Sequence, residues 1–197
     1  MLIKLIQCTV PRDRREQFST GQKAWAALAD CPGFLAQFGG WSLAYPKRAV
    51  IVGLWADRAA YDAFMRDVHD QIFANNGQAG AYDSIEVSLW TVVDRGAAPP
   101  ALSREQVERG LLLRWREQRD RPASRPAAEC HPHAAETPWS CVADHVQDTG
   151  RTLELVLQPR GDANEARSGD ALLESAWLVL PAARSPCGNF PPLLRGD

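Results

Sequence analysis

The most regular pattern of apolar and polar positions lies between residues 33 and 77, where it predicts two strands followed by a helix. Residues 34–45 alternate with a period of two, which is typical of a strand. Counting by twos places Phe34, Ala36 and Phe38 on one face and Leu35, Gln37, Gly39, Trp41, Leu43 and Tyr45 on the other. Tyr45-Pro46-Lys47-Arg48 indicates a turn, because Pro46 fixes φ and both cations need solvent. The run Val50 to Trp55 is almost continuously apolar, which predicts a second strand covered on both faces.

An amphipathic helix follows this pair of strands. Asp57 is the expected N-cap, and Asn75-Asn76-Gly77 ends the helix. The apolar residues recur between these limits at helical spacing, and they are Tyr61, Phe64, Met65, Val68 and Ile72. The pattern therefore predicts one continuous helix with one apolar face.

The segments on either side complete a ferredoxin-like unit. Residues 2–10 alternate as a strand, residues 11–30 carry a helical apolar stripe, and residues 85–93 form a fourth alternating strand. The order β-α-β-β-α-β is the ferredoxin-like arrangement, so the fold class is α+β. Its helices cover one sheet face, and the other face is apolar enough to need a second sheet.

The second half of the chain predicts a smaller, strand-rich unit. Strands are expected at 111–117, 152–158 and 171–180, whereas 119–138 is rich in proline and arginine and is expected to be a loop. Ser175-Ala176-Trp177 echoes Ser88-Leu89-Trp90, which favours a degenerate internal repeat whose sheet covers the first one. The predicted organisation is a ferredoxin-like domain (1–95), a linker and short helix (96–110), a degenerate second α+β repeat (111–180) and a tail (181–197).

Composition narrows the classes of partner. The 197 residues carry a formal net charge of −2 without a strongly basic window, so neither nucleic acid nor an anionic membrane is expected. No apolar run reaches the length of a membrane-spanning helix or a signal peptide. Five cysteines, an odd number, predict reduced thiols and a cytoplasmic protein.

Three segments carry a resemblance to a known family. They are PGFLAQFGGW (32–41), LWADRAAYDAFM (54–65) and DVHDQIFANNGQAG (67–80). With them, residues 1–95 resemble the dimeric α/β-barrel superfamily of antibiotic-biosynthesis-monooxygenase-like proteins, and most of all its YdbC-type branch. The resemblance implies two sheets packed face to face, with a pocket between a sheet and its own helices that holds a small aromatic or polyketide-like compound, or haem.

His69 is the candidate catalytic residue of that pocket. It lies between Met65 and Phe73 at helical spacing, and an imidazole titrates near neutrality, so it can act as a base or proton donor. Asp70 is expected to point away from His69. The alternative to a catalytic role is a partly exposed helical histidine that only caps or packs.

Aromatic residues and one amide are the candidate ligand contacts. Gln37 shares a strand face with Trp41 and could hydrogen-bond a ligand carbonyl. The complete candidate set for substrate binding is Trp25, Gln37, Trp41, Trp55, Phe64 and Phe73. Core packing is the alternative for each aromatic residue.

The resemblance also bears on cofactors. Haem-degrading relatives carry an asparagine on the first strand and a tryptophan and a histidine on the last helix of the unit, where this chain has Gln7, Phe64 and Ala74. Haem is therefore not expected, and no other cofactor is. Oxygenation without a cofactor remains compatible with these residues, and His69 would then be the base.

A second cluster is rich in metal-ligand side chains. It consists of Cys130, His131, His133, Cys141 and His145. Cysteine and histidine are zinc ligands, and Cys141 and His145 would share a face if locally helical, although the spacing fits no standard zinc module. Zinc is the metal that this cluster would take.

Two functional hypotheses follow. The first is a small-molecule-binding protein, with cofactor-independent oxygenation of a hydrophobic aromatic compound as its candidate activity. The second is a non-catalytic ligand- or metal-binding protein with a C-terminal Cys/His module. Under either hypothesis, the protein is expected to complete its barrel within one chain or, if the second half does not close it, as a homodimer.

Overall fold

A computed structural model describes residues 1–93, 98–119, 139–160 and 169–182. Its strands are β1 (Leu2–Thr9), β2 (Phe34–Ser42), β3 (Arg48–Trp55), β4 (Ser84–Val92), β5 (Leu111–Arg119), β6 (Trp139–His145), β7 (Arg151–Pro159) and β8 (Asp170–Leu173). Its α-helices are α1 (Arg15–Gln22), α2 (Arg58–Asp67), α3 (His69–Asn75) and α4 (Arg104–Glu108). Shorter 3₁₀ segments span Arg12–Arg14, Lys23–Asp30 and Ser175–Trp177. None of the helices in these ranges is long and apolar enough to cross a membrane.

The eight strands close into one barrel, in the order β1-β3-β2-β8-β5-β7-β6-β4. The first four strands are arranged β4-β1-β3-β2, and the last four repeat that arrangement as β8-β5-β7-β6. Two seams join the halves, since β2 pairs with β8 and β4 pairs with β6, both antiparallel. The α+β fold with a ferredoxin-like first half and a strand-rich second half is confirmed. The second sheet that the first one needs comes from the same chain.

Alternation along the strands separates the barrel interior from its outer surface. On β1, Ile3 and Leu5 point inward and join apolar residues from both halves, among them Trp90, Leu113 and Leu155. The intervening residues of the first sheet point outward, where the helices of the first half cover them. The barrel interior is therefore a filled core, and the free space lies on the outer face of the first sheet.

The predicted face of β2 is wrong at Phe34. A β-bulge lies between Phe34 and Ala36, so the extra residue Leu35 shifts the alternation. Phe34 consequently packs under the helices, whereas Ala36 and Phe38 point into the barrel. The assignment of Gln37 and Trp41 to the outer face is unaffected, because both follow the bulge.

The predicted single helix over 58–75 is divided at Val68. Its φ of −129° separates α2 from α3, and His69 is the first residue of the second helix. The capping prediction is confirmed, since the Asp57 side chain accepts a hydrogen bond from the backbone N–H of Ala60 at 2.8 Å. Gly77 follows α3 with a φ of +67°, a conformation that favours glycine and ends the helix.

Two expectations for the second half are wrong. Residues 171–180 do not form one strand, because β8 ends at Leu173 and a 3₁₀ turn follows at Ser175–Trp177. The echo between the segments around Trp90 and Trp177 is therefore not structural. Trp90 points into the barrel from β4, whereas Trp177 packs on the outer surface against Phe18 and Trp41.

Candidate functional site

A cavity of about 520 Å³ lies between the outer face of the first sheet and its helices. Its floor consists of outward-facing residues of β1, β2, β3 and β4, because the inward-facing ones fill the barrel. Its walls come from α1, the 3₁₀ segment Lys23–Asp30, α2 and α3. All the residues that line the cavity lie between Lys4 and Val87, within the first half.

The structure brings together six of the seven residues named from the sequence as catalytic or substrate-binding candidates. Trp25, Gln37, Trp55, Phe64, His69 and Phe73 line the cavity. Trp41 does not line it, and this expectation is wrong. It lies on the predicted outer face of β2 but near the C-terminal end of the strand. There Phe18, Trp177 and the guanidinium of Arg15 surround its ring.

Stacked rings make the aromatic wall rigid. The rings of Trp55 and Phe64 are stacked with centroids 4.8 Å apart, and the edges of Phe34 and Tyr61 pack against Trp55. Offset and edge-to-face pairs of this kind contribute about 0.5–1.5 kcal/mol each beyond the area they bury. The rings of this wall are therefore held against one another by their own contacts.

Gln78 positions Trp25, and the sequence pattern did not single it out. Its Oε1 accepts from Trp25 Nε1 at 3.3 Å and from Asn76 Nδ2 at 3.0 Å, while its Nε2 donates to the Phe18 carbonyl at 3.0 Å. These bonds connect α1, the following 3₁₀ segment and the loop after α3. One buried amide thus fixes the side of the cavity from which Trp25 projects.

His69 lies among three aromatic rings at one side of the cavity. Its ring centroid is 5.7 Å from Trp25, 5.6 Å from Phe64 and 6.1 Å from Phe73, to which it is parallel. Asp70 does not point elsewhere as expected, because its Oδ1 lies 2.9 Å from His69 Nδ1. The Asp70 side chain is 98 % exposed and that of His69 only 21 %. The carboxylate therefore reaches the imidazole from the solvent side.

Gln37 lines the cavity and carries a buried side-chain N–H donor that is unsatisfied. The residue is 6 % exposed, and its Nε2 has no hydrogen-bond partner among the residues that the structure describes. Its backbone is fixed, since it exchanges two hydrogen bonds with Val179 at 2.8 and 2.9 Å. A buried amide without a partner costs about 1–3 kcal/mol, so a ligand atom that accepts from it gains affinity.

Lys4 is the principal cavity residue that the sequence analysis missed. Its Nζ lies 5.6 Å from the ring centroid of Tyr61 and 5.9 Å from that of Phe64. It forms no salt bridge with a residue in the described ranges. Burial lowers the pKa of Lys4 from 10.5 to about 8. The signal was present in the alternation, because Lys4 shares its strand face with Leu2, Ile6 and Cys8.

The other buried titratable groups of the cavity favour their neutral forms. Burial raises the pKa of the Cys8 thiol to about 12. Burial is also the main cause of the raised pKa of Tyr61 and of Tyr82. The cavity is therefore a medium of low polarity in which a lone charge is costly.

A second cavity of about 550 Å³ is polar and lies at one end of the barrel. Its arginines and carboxylates balance, and Arg114 donates to both carboxylate oxygens of Asp170 at 2.8 and 3.2 Å. Gln7, which occupies the haem-related position named above, faces this end and donates to Glu117 at 3.4 Å. Gln7 therefore does not reach the aromatic cavity at all.

The described part of the Cys/His cluster does not form a metal site. Cys130, His131 and His133 lie outside the described residues. Cys141 and His145 lie on β6, a strand and not the helix considered above, so four residues separate them by about 13 Å. Cys141 is buried in the barrel core, and His145 Nδ1 accepts from the backbone N–H of Gln147 and Asp148. The described ranges hold no group of three or more His, Cys, Asp or Glu residues that could bind a metal.

Fold and cavity together define the class. The protein is a dimeric-α/β-barrel type protein whose two ferredoxin-like sheets come from one chain, with a cavity rich in aromatic residues under the helices of the first sheet. Two solved structures share this fold. One is a candidate monooxygenase from Lactobacillus acidophilus, with a TM-score of 0.53 and 9 % identity, covering 80 % of this chain and 76 % of that one. The other, a candidate monooxygenase from Fusobacterium nucleatum, has a TM-score of 0.55 and 6 % identity, covering 80 % and 75 %.

The sequence comparison identifies the family. The model for the domain of unknown function DUF4937 matches residues 2–90. The uncharacterised protein YdbC of Bacillus subtilis is 40 % identical over 92 residues, which are 46 % of this chain and 77 % of that protein. The chain therefore belongs to the YdbC family, as its three motif segments indicated.

Proposed function

We propose that the protein binds a hydrophobic aromatic compound in the cavity of its first half and oxygenates it without a cofactor, in the cytoplasm. The observation that supports the binding is the buried Nε2 of Gln37, a residue of the mainly apolar cavity lining, which has no partner in the described part of the chain. A ligand carbonyl or hydroxyl oxygen that accepts from it removes the cost of the unsatisfied donor. The volume of about 520 Å³ lies within the usual range for a small-molecule site and admits two or three fused rings.

The chemistry requires one base and exclusion of water. When His69 donates from Nδ1 to Asp70, its Nε2 keeps a lone pair that can remove an acidic proton from the ligand. The resulting electron-rich anion passes an electron to O₂, the two combine as a peroxide anion, and His69 returns its proton to give a hydroperoxide. Loss of water then gives a quinone, so that one oxygen atom enters the product and the other leaves as water.

Anthrone is a suitable probe, because it carries one carbonyl and one acidic CH₂ on a planar tricycle. We expect consumption of one O₂ per anthrone, formation of anthraquinone and incorporation of one ¹⁸O from ¹⁸O₂, measured with an oxygen electrode and by mass spectrometry. His69→Gln should lower kcat by about 10²- to 10⁴-fold. Gln37→Leu should act on KM, because it removes a ligand contact and keeps the base.

His145→Gln is the matched control. His145 is a described histidine that lies outside the cavity, on β6. An equal loss in His69→Gln and His145→Gln would contradict the assignment of His69. Saturable binding of anthrone without oxygen consumption above the background would support the non-catalytic ligand-binding protein instead.

A further inference from the structure

Lys4 is partly buried at a position where a lysine is costly. It is one of the three lysines in the sequence, with Lys23 and Lys47, and both of those are exposed. Its side chain rises from the sheet into the cavity, and its ammonium lies over the rings of Tyr61 and Phe64. Such cation–π contacts recover only part of the hydration that the ammonium loses.

The described residues that line the cavity offer this ammonium no counter-ion. Among the described residues that line it, Asp70 carries the only carboxylate, and that carboxylate lies beside His69 and is 98 % exposed. The remaining titratable groups of the lining are Cys8, Tyr61, His69 and Tyr82, of which Cys8 and both tyrosines favour their neutral forms. A negative charge beside Lys4 must therefore come from the ligand.

The register of the sheet places Lys4 opposite the unsatisfied amide of Gln37. Lys4 pairs with Gly53 across β1 and β3, and Gln37 pairs with the same Gly53 across β2 and β3. The three residues form one row across three strands, so the Cα atoms of Lys4 and Gln37 are about 10 Å apart. Gly53 has no side chain, which leaves the floor between the two donors open.

We propose that Lys4 is the specificity-determining residue of the cavity and selects aromatic ligands that carry a negatively charged oxygen. The ring system of the ligand lies above Gly53 against the wall of Trp55 and Phe64, and its anionic oxygen lies beside the Lys4 ammonium. This inference rests on the proposed function, since it requires that an aromatic compound occupies the cavity. In the oxygenation the same ammonium stabilises the anion that proton removal creates.

Two fluorescent probes of almost the same shape test the proposal. 8-Anilinonaphthalene-1-sulfonate carries an anionic oxygen group, and N-phenyl-1-naphthylamine is the same ring system without it. We expect both to bind the wild-type protein and to displace each other. In Lys4→Met and Lys4→Gln, the Kd of the sulfonate should rise about tenfold or more, while that of the neutral probe changes by less than about twofold.

The pH dependence gives a second readout. Because burial lowers the pKa of Lys4 to about 8, the free protein loses the cation above that pH. Sulfonate affinity of the wild-type protein should then fall above pH 8 and level off at the affinity of the Lys4 variants, whereas both Lys4 variants and the neutral probe should show no such fall. Lys47→Met is the matched control, because it removes one positive charge from an exposed turn and should leave both affinities unchanged.

The outcomes separate this inference from the function on which it rests. If the Lys4 variants bind the neutral probe but keep the wild-type preference for the sulfonate, the inference is wrong and the cavity remains a ligand site. If the folded wild-type protein binds neither probe, both proposals are overturned. If the two probes bind without competing, the sulfonate occupies another place and Lys4 does not select it.

Discussion

Replacement of Lys4 by methionine should stabilise the fold at neutral pH, although it removes a charge that the site uses. Burial lowers the pKa of Lys4 from 10.5 to about 8, so the native state holds its proton less tightly than the unfolded chain does. At about 1.4 kcal/mol per pKa unit, this shift of about 2.5 units costs the native state roughly 3 kcal/mol below pH 8. Methionine keeps an unbranched, flexible side chain and fills the same space without the charge.

The sign of the pH dependence follows from the lowered pKa. The cost is complete below pH 8 and disappears as pH rises toward 10.5, where lysine is neutral in both states. The advantage of Lys4→Met in the free energy of unfolding should therefore decrease from roughly 3 kcal/mol at pH 7 to roughly 1 kcal/mol at pH 10. Guanidinium unfolding followed by tryptophan fluorescence measures both values, because Trp25 and Trp55 lie in the cavity wall.

Lys47→Met is again the control, and it should change the stability by less than about 0.5 kcal/mol at either pH. The reasoning is refuted if Lys4→Met destabilises the protein at pH 7. It is equally refuted if the variant has the same effect at pH 7 and pH 10. In both cases the ammonium would have its charge compensated by the protein itself, and the cavity would need no anionic ligand.

Two further predictions concern the seam of the barrel and the thiol of the cavity. Gly40→Ala should cost about 3 kcal/mol or more in thermal or denaturant unfolding, because its Cβ would lie 1.7 Å from the backbone oxygen of Leu172 on β8. Gly53→Ala, whose Cβ meets no atom closer than 3.6 Å, should cost less than about 1 kcal/mol, and equal losses would contradict the close approach at the seam. Cys8 should resist iodoacetamide at pH 8 in the native protein and react in guanidinium, as read by peptide mass spectrometry, because its pKa of about 12 leaves almost no thiolate. Rapid alkylation of native Cys8 would show that the thiol is more accessible or more acidic than its buried position indicates.

The first half of the fold could be predicted from sequence because its periodicities are strong and its ends are marked. Alternation identified β1 to β4, Asp57 capped a helix as expected, and Gly77 ended one. The bulge at Leu35 escaped prediction, since an extra residue changes the face of Phe34 without altering composition. The strand β6 was not predicted, because its Cys and His residues also fit a set of metal ligands. Cys141, Ala143 and His145 nevertheless alternate as a strand requires.

The site was less predictable than the fold, because alternation with a period of two predicts which face of a strand a residue occupies but not which residues surround it. Trp41 and Gln37 share the outer face of β2, yet only Gln37 reaches the cavity. Nothing in the local pattern tells that Phe18 and Trp177 enclose Trp41, since these residues come from a helix and from the far end of the chain. Lys4 was visible in principle, as a cation on an otherwise apolar strand face. Its meaning depends on the absence of a carboxylate around it, which is a property of the tertiary structure.

The two halves of the chain have different roles, and the family match ends near β4, where the first half ends. All cavity-lining residues lie in the segment that matches, whereas the strands beyond it close the barrel and fill its interior. The second half still reaches the site at one point, because Val179 holds the backbone of Gln37 through two hydrogen bonds. Since Gln37, Gly53 and Lys4 form one row, that bridge fixes one end of the row while the pairing of β1 with β3 fixes the other. The barrel therefore sets the distance between the two donors, which is the quantity that a ligand must match.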